Sequence, residues 1–237
     1  MPDIYVAAPE RGEDPALTAQ IHQFYEDRPA DDRVRPTDDP LLVAVDGVFP
    51  DTARMVDLGC GSGAAAAWLG RDGRSVLGVD LAMSALLRAE SNRRRDGLEG
   101  VSFVRGNLLR PPVRAAGADL VLCLGSLETC GAPEEGVAAA AALLRPGGLL
   151  LARVATPWGP ETPPDKAPPH DGRYPPDVVR EWFEAAGLRP LDRLESPVLQ
   201  AVVTPLGRGI RGALRSVRWS WLGGGPAVAV VAGRRPG

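Results

Sequence analysis

The chain has few of the residues that most often build a metal centre or a covalent framework. Its 237 residues include three cysteines and two histidines. Cys60, Cys123 and Cys130 are odd in number and form no C-x-x-C pair, so neither zinc nor a disulfide framework is expected. Lysine is nearly absent and aromatic residues make up 5%. The longer clean apolar runs, such as Ala227 to Ala232, are far too short to span a bilayer. The first fifteen residues are acidic and contain proline, with no apolar secretory core. The expected setting is therefore cytoplasmic, with no membrane. A net charge of −3 gives no general attraction for nucleic acid. What remains is ample for a core: 44% apolar and 24% charged residues, in a length that suits one α/β domain.

Two helices are predicted first. Asp14 before Pro15 and Asp39 before Pro40 each repeat a cap-plus-proline start. Leu17, Ile21 and Phe24 recur at helical spacing after the first, and Leu41, Leu42, Val45, Val48 and Phe49 after the second. Between them, Glu26 to Asp39 reads as a surface loop. From residue 54 the chain alternates. Strands are expected at Arg54–Leu58, Ser75–Val79, Val101–Val104, Asp119–Leu124 and Leu149–Val154. Helices are expected at Ala64–Leu69, Ala82–Arg95 (with Leu86, Leu87 and Ala89 inside) and Val137–Leu144. That alternation implies a parallel sheet covered on both faces, with ligands beyond the carboxyl ends of its strands. A proline-rich stretch, Thr156 to Pro176, has the length of a functional lid. A helix at Asp177–Ala186, strands at Leu191–Leu194, Val198–Val203 and Ala227–Val231, and a basic segment from Arg208 to Arg218 complete the chain. A solvated helix face is the favoured reading of that basic segment, ahead of a nucleic-acid surface.

The stretch Met55-Val56-Asp57-Leu58-Gly59-Cys60-Gly61-Ser62-Gly63 organises the rest. A buried strand ends, three glycines alternate, and helix formers resume at Ala64. Glycine lets the backbone turn sharply and lets a ligand approach the main chain, while the following helix offers free N–H groups. Asp57 adds a carboxylate suited to a cationic ligand group. By spacing alone, Gly59-x-Gly61-x-x-Ala64 also fits a dinucleotide-binding turn.

Asp57, Gly59, Gly61 and Gly63 resemble the nucleotide-binding motif of class I S-adenosylmethionine-dependent methyltransferases. Residues 119–129 resemble that family's fourth-strand motif, and Leu143-Leu144-Arg145-Pro146-Gly147-Gly148 its turn before the fifth strand. The ordered series argues against the dinucleotide option. The resemblance implies a doubly wound, mostly parallel seven-stranded sheet with an N-terminal helical addition over residues 1–50. A cofactor-binding domain would occupy 51–237. It also implies S-adenosyl-L-methionine as cofactor, S-adenosyl-L-homocysteine as product, and a cofactor site at Asp57, Gly59, Cys60, Gly61, Gly63, Asp80, Leu81, Asn107, Leu108, Leu124 and Tyr25. Asp80 would accept both ribose hydroxyls, because acceptor-only oxygens match vicinal donors, or serve only as a helix cap before Leu81 and Ala82. Asn107 would read the adenine amino group, or serve only as a turn residue.

Glu128 is expected to face the pocket as a base, and His170 to take a substrate proton. The competing readings are a solvated loop glutamate and a surface histidine. Trp158 and Tyr174 are candidates for an apolar substrate wall, and His22 is expected in solvent. The expected activity is methyl transfer to a small molecule such as a secondary metabolite. Its rival is a protein of this fold that has lost transfer and catalyses a cyclisation or elimination, or serves as a partner subunit. A homodimer is also compatible.

Overall fold

Asp14 and Asp39 begin the described helices as their side chains dictate. A computed structural model describes residues 14–27, 39–159, 161, 163–164, 167–192 and 228–237. The Asp14 carboxylate accepts the N–H groups of Ala16 and Leu17 at 2.9 and 3.3 Å, opening α1 (Pro15–Glu26). Asp39 accepts the Leu41 N–H at 3.0 Å, opening α2 (Pro40–Val48). The strands are β1 (Arg54–Leu58), β2 (Ser75–Asp80), β3 (Val101–Arg105), β4 (Ala118–Leu124), β5 (Leu144–Ala155), β6 (Arg189–Pro190) and β7 (Val228–Arg234). Between them run α3 (Ala64–Gly70), α4 (Met83–Arg95), α5 (Pro133–Leu143) and α6 (Pro176–Ala185).

The seven strands form one sheet in the order β3-β2-β1-β4-β5-β7-β6. Pairings from β3 through β5 are parallel, and β7 runs antiparallel to β5 and β6. One apolar layer joins Val56, Leu58, Val121 and Leu150 to Val137, Ala140, Val179 and Phe183 of α5 and α6. The opposite layer joins Met55, Leu120, Leu122 and Leu151 to Leu41, Leu42 and Val45 of α2 and to Ala66 and Leu69 of α3. Burial of both strand faces is why these segments read as continuous apolar runs.

Charged side chains tie the N-terminal helices to this core. Arg74, 4% exposed, reaches from the start of β2 to the Asp46 carboxylate at 2.5 Å and to the carbonyls of Asp46, Phe49 and Pro50. Glu26, at the end of α1, accepts the Ser84 N–H at 3.2 and 3.3 Å. That contact caps α4, whose own N-cap, Ala82, has no side-chain acceptor. His22 of the same helix lies 2.8 Å from an Arg105 guanidinium nitrogen, so it packs on β3 and does not stand in solvent.

Several sequence boundaries shift. Leu144 leaves α5 and starts β5, so Leu143 ends the helix and the Arg145-Pro146-Gly147-Gly148 turn sits as an irregularity inside a strand. Gly147 there takes a φ of 77°, which favours glycine. Leu87 is 64% exposed; the inward face of α4 is Ala85, Leu86 and Ala89. Val48 is also exposed, at 40%. Of the strand predicted at Leu191–Leu194, Leu191 and Asp192 follow the short β6 without strand structure, Leu191 donating its N–H to the Ala232 carbonyl, and residues 193–194 lie outside the described residues. The strand predicted at Val198–Val203, the basic segment from Arg208 to Arg218 and most of the loop between α1 and α2 lie outside the described residues.

Candidate active site

The glycine turn connects β1 to α3 and is held mainly by its own neighbours. Gly59 and Cys60 donate their N–H groups to the Val79 carbonyl at 2.8 and 3.1 Å, and Gly63 donates to the Cys60 carbonyl at 2.9 Å. The Gly61 N–H goes to Asp80, 2.7 Å from Oδ2, while Oδ1 of Asp80 accepts the Ala82 N–H at 2.9 Å. Asp80 thus locks the turn to the end of β2, and each oxygen keeps a lone pair for a further donor. Burial raises its pKa, offset in part by the N–H groups of Ala82, Gly61 and Leu81.

The three glycines have φ values of 75°, 54° and 78°, and each serves a different need. A Cβ on Gly59 would lie 2.4 Å from the Ser126 Cβ. On Gly63 it would lie 2.5 Å from the Phe103 ring, and on Gly61 it would meet no protein atom within 4 Å. Gly59 and Gly63 therefore permit close packing, whereas Gly61 leaves space open. Gly63 is accordingly outside the cavity wall.

That cavity, about 720 Å³, opens over the carboxyl ends of β1, β2 and β4. Such a volume falls among small-molecule sites. The structure brings Asp57, Gly59, Cys60, Gly61, Asp80, Leu81, Asn107, Leu108, Leu124 and Tyr25 together around it. Thr18 and Ile21 of α1, Asp39 and Leu42 of α2, Ser126, Thr129, Cys130 and Arg153 complete much of the wall; sequence reasoning missed them. Asp39 carried a visible signal as a helix cap, but its ion pair with Arg153 links residues 114 apart and leaves no local pattern.

Asp57 is 2% exposed, and burial together with the nearby Asp80 carboxylate pushes its pKa up to about 7, against a smaller lowering by Arg153. Asn107 uses Oδ1 to accept the Leu109 N–H at 2.9 Å, so it holds a turn while also lining the cavity. Burial likewise pushes the Cys60 thiol well up and the Cys130 thiol to about 11, which leaves neither as a ready thiolate nucleophile.

Glu128 and His170 fall elsewhere, and neither lines the cavity. Glu128 sits in a 3₁₀ turn (Leu127–Thr129), is 8% exposed, and accepts the Ala155 N–H at 3.2 Å through Oε1. It is neither pocket-facing nor solvated. Burial raises its pKa, and Oε2 has no hydrogen-bond partner among the described residues. His170 lies 3.1 Å from the Tyr174 hydroxyl, and Tyr174 packs edge-on against Trp182. Trp158 is 45% exposed, so it and Tyr174 form no substrate wall here.

The electrostatics separate the two ligand classes that the glycine spacing allows. Most of the turn's N–H groups are committed internally, and the wall carries the carboxylates of Asp39, Asp57 and Asp80. A pyrophosphate would meet like charge. A nucleoside bearing a cationic group meets complementary charge, and the residues fit S-adenosylmethionine on those grounds.

Residues 56–152 match the family model of the methyltransferase domain. Over 96 residues the chain is 32% identical to the ubiquinone biosynthesis O-methyltransferase of Escherichia fergusonii, a stretch covering 40% of this chain and 40% of that protein. Among solved structures, phosphoethanolamine N-methyltransferase 2 of Haemonchus contortus, in complex with S-adenosyl-L-methionine, is similar with a TM-score of 0.62. Its identity is 15%, over 83% of this chain and 51% of that one. The [4+2]-cyclase SpnF is similar with a TM-score of 0.61 and 21% identity, over 83% of this chain and 79% of that one. At such identities the structural likeness shows the fold alone. Residues 56–152 thus resemble a methyltransferase domain, and the chain spans 40% of the length of the curated relative it matches. No helix among the described residues is long and apolar enough to cross a membrane.

Proposed function

We propose that the protein transfers a methyl group to a small-molecule acceptor held in the 720 Å³ cavity. The observation that carries this reading is the Asp80 corner. A carboxylate at the end of β2 is fixed by two backbone N–H groups beside an open Gly61, on a wall that also holds the buried Asp57. In this reading Asp80 takes the ribose hydroxyls, and Asn107, Leu81 and Leu108 border the base. Asp57 and Leu124 border the methionine end, with Tyr25 closing from α1.

When bound, the cofactor supplies an electrophilic methyl group on a sulfonium. The chain's part is then alignment and exclusion of water, and neither needs a triad. Thr18, Ile21, Leu42, Thr129 and Cys130 give a mixed apolar and hydroxyl surface for a compact acceptor. In the proposal, residues 1–50 act as a helical cover on the domain formed by 51–237. Glu128 and His170 brace the segment after β5, since Gly172 donates its N–H to the Glu128 carbonyl at 2.8 Å.

Calorimetric titration with S-adenosylmethionine and S-adenosylhomocysteine tests the reading, with Asp80→Asn as the variant. Binding that weakens roughly tenfold or more in the variant supports it. If the folded wild type binds neither ligand, the proposal fails. Tight binding without methyl transfer to any acceptor would instead favour a fold that has lost transfer.

A further inference from the structure

A second cavity, of about 360 Å³, opens at the opposite pole of the sheet and shares no wall residue with the first. It lies where β1 and β4 begin and β7 ends, against the C-terminal end of α2. Part of its wall is apolar. Ala53 and Leu149 are buried, Phe49 is half-buried, and Val48 stands exposed at the edge. The volume suits a compact molecule.

Two guanidiniums belong to the same wall. Arg145, in the turn within β5, donates Nε to the Asp119 carboxylate at 2.5 Å and Nη1 to the Pro146 carbonyl at 3.0 Å. Its Nη2 has no partner among the described residues. Asp119 is the one acid in that wall, and both of its oxygens are occupied, the second by the Arg54 N–H at 2.8 Å. Arg234, at the end of β7, has no side-chain hydrogen bond or ion pair among the described residues. The cavity is therefore positive on balance, with guanidinium donors to spare.

The strand register points the same way. β6 and β7 are antiparallel, and Arg234 lies directly opposite Arg189. Like charges in that position destabilise a sheet, and an anion between them removes the cost.

We propose that this second cavity binds a monocarboxylate with a compact apolar body. Arg234 and the free Nη2 of Arg145 take the carboxylate, and the body covers Leu149, Phe49 and Val48. A planar fork matches a carboxylate in geometry and charge, and covering those side chains adds apolar burial. Arginines that served only to solvate this pole would not tell a carboxylate from its neutral analogue.

The test is calorimetric titration of the full chain with three probes. Benzoate carries both features, benzamide keeps the ring without the charge, and inorganic phosphate keeps charge without the ring. Benzoate is expected to bind at least roughly tenfold more tightly than either of the others. Arg234→Gln removes a side chain with no described partner to lose. It is expected to keep the wild-type melting temperature and to weaken benzoate roughly ten- to a hundredfold. Arg234→Lys keeps the charge but loses the fork, and gives an intermediate loss. Saturating S-adenosylhomocysteine should leave the benzoate titration unchanged; displacement would place benzoate in the larger cavity and overturn the proposal. It is equally overturned by benzamide or phosphate binding as tightly as benzoate, by full benzoate affinity in Arg234→Gln, or by no benzoate binding at about 10 mM. The benzoate and Arg234 readouts do not depend on methyl transfer, so the reading above can fail while this one stands.

Discussion

Replacing Gly59 and Gly61 separately by alanine should separate packing from ligand contact within one turn. Both residues have positive φ, at 75° and 54°, so either alanine meets the left-handed strain of about 1–2 kcal/mol. There the two diverge. The new methyl at 59 would sit 2.4 Å from the Cβ of Ser126. Ser126 cannot move aside cheaply, because it is 6% exposed and its hydroxyl donates to the Leu58 carbonyl at 2.8 Å. Overpacking of that kind adds about 1–3 kcal/mol, for a total near 2–5 kcal/mol. At 61 the methyl meets no protein atom within 4 Å, so strain is the whole cost. For a chain of this size the expected fall in melting temperature is about 4–20 °C for Gly59→Ala and about 2–8 °C for Gly61→Ala. Gly61 lines the cavity, so its alanine should weaken S-adenosylhomocysteine roughly tenfold or more despite the smaller loss of stability. Thermal unfolding by circular dichroism and calorimetric titration read the two effects. Equal destabilisation by the two alanines, or full ligand affinity in Gly61→Ala, would refute the assignment.

Asp57→Asn should flatten the pH dependence of stability. The wild-type carboxyl has a folded pKa of about 7 against an ordinary 3.8, so it favours folding below about pH 4 and loses that contribution as pH rises through 7. About three units correspond to about 4 kcal/mol at most. In urea unfolding of the ligand-free protein, the asparagine variant should gain on wild type between pH 5 and pH 8; parallel curves would count against a buried, unneutralised acid. Glu26→Ala removes the carboxylate that caps α4 from α1. The expected cost is about 1 kcal/mol, with faster limited proteolysis within α1. Wild-type cleavage kinetics would mean that the contact does not hold the helix.

The sheet was legible because its signals are local and repeated. Asp14 and Asp39 cap as their spacing with proline dictates, and Val76 and Val79, or Val121 and Leu122, mark strands buried on both faces. Errors arose where a residue's environment comes from distant chain. Leu87 has the chemistry of a core residue but lies outside the inward face of α4, so it stays in solvent. Leu144 has helix propensity, yet pairing with Ala118 draws it into β5, since a strand partner offers hydrogen bonds that the end of a helix cannot. Gly63 belongs to a ligand motif by sequence, but the Phe103 ring claims the space where its side chain would be.

The same distinction runs through the candidate site. Asp57, Asp80 and Gly61 were visible because adjacent residues fix their geometry: a strand end, a two-residue reach to Ala82, an open turn. Glu128 follows the fourth strand and His170 stands in the loop before α6, but neither position nor chemistry says which way a side chain points. Glu128 turns to the Ala155 N–H because the segment after β5 folds back over it, donating the Gly172 N–H to its carbonyl. Arg153 was passed over because, in a chain rich in arginine, it carried no mark of its own. Its setting depends on Asp39, from a helix that precedes the sheet, and on Asp57, two strands away. A side chain takes its function from the charges placed around it. Here those charges come from three elements that only the folded sheet brings to one wall.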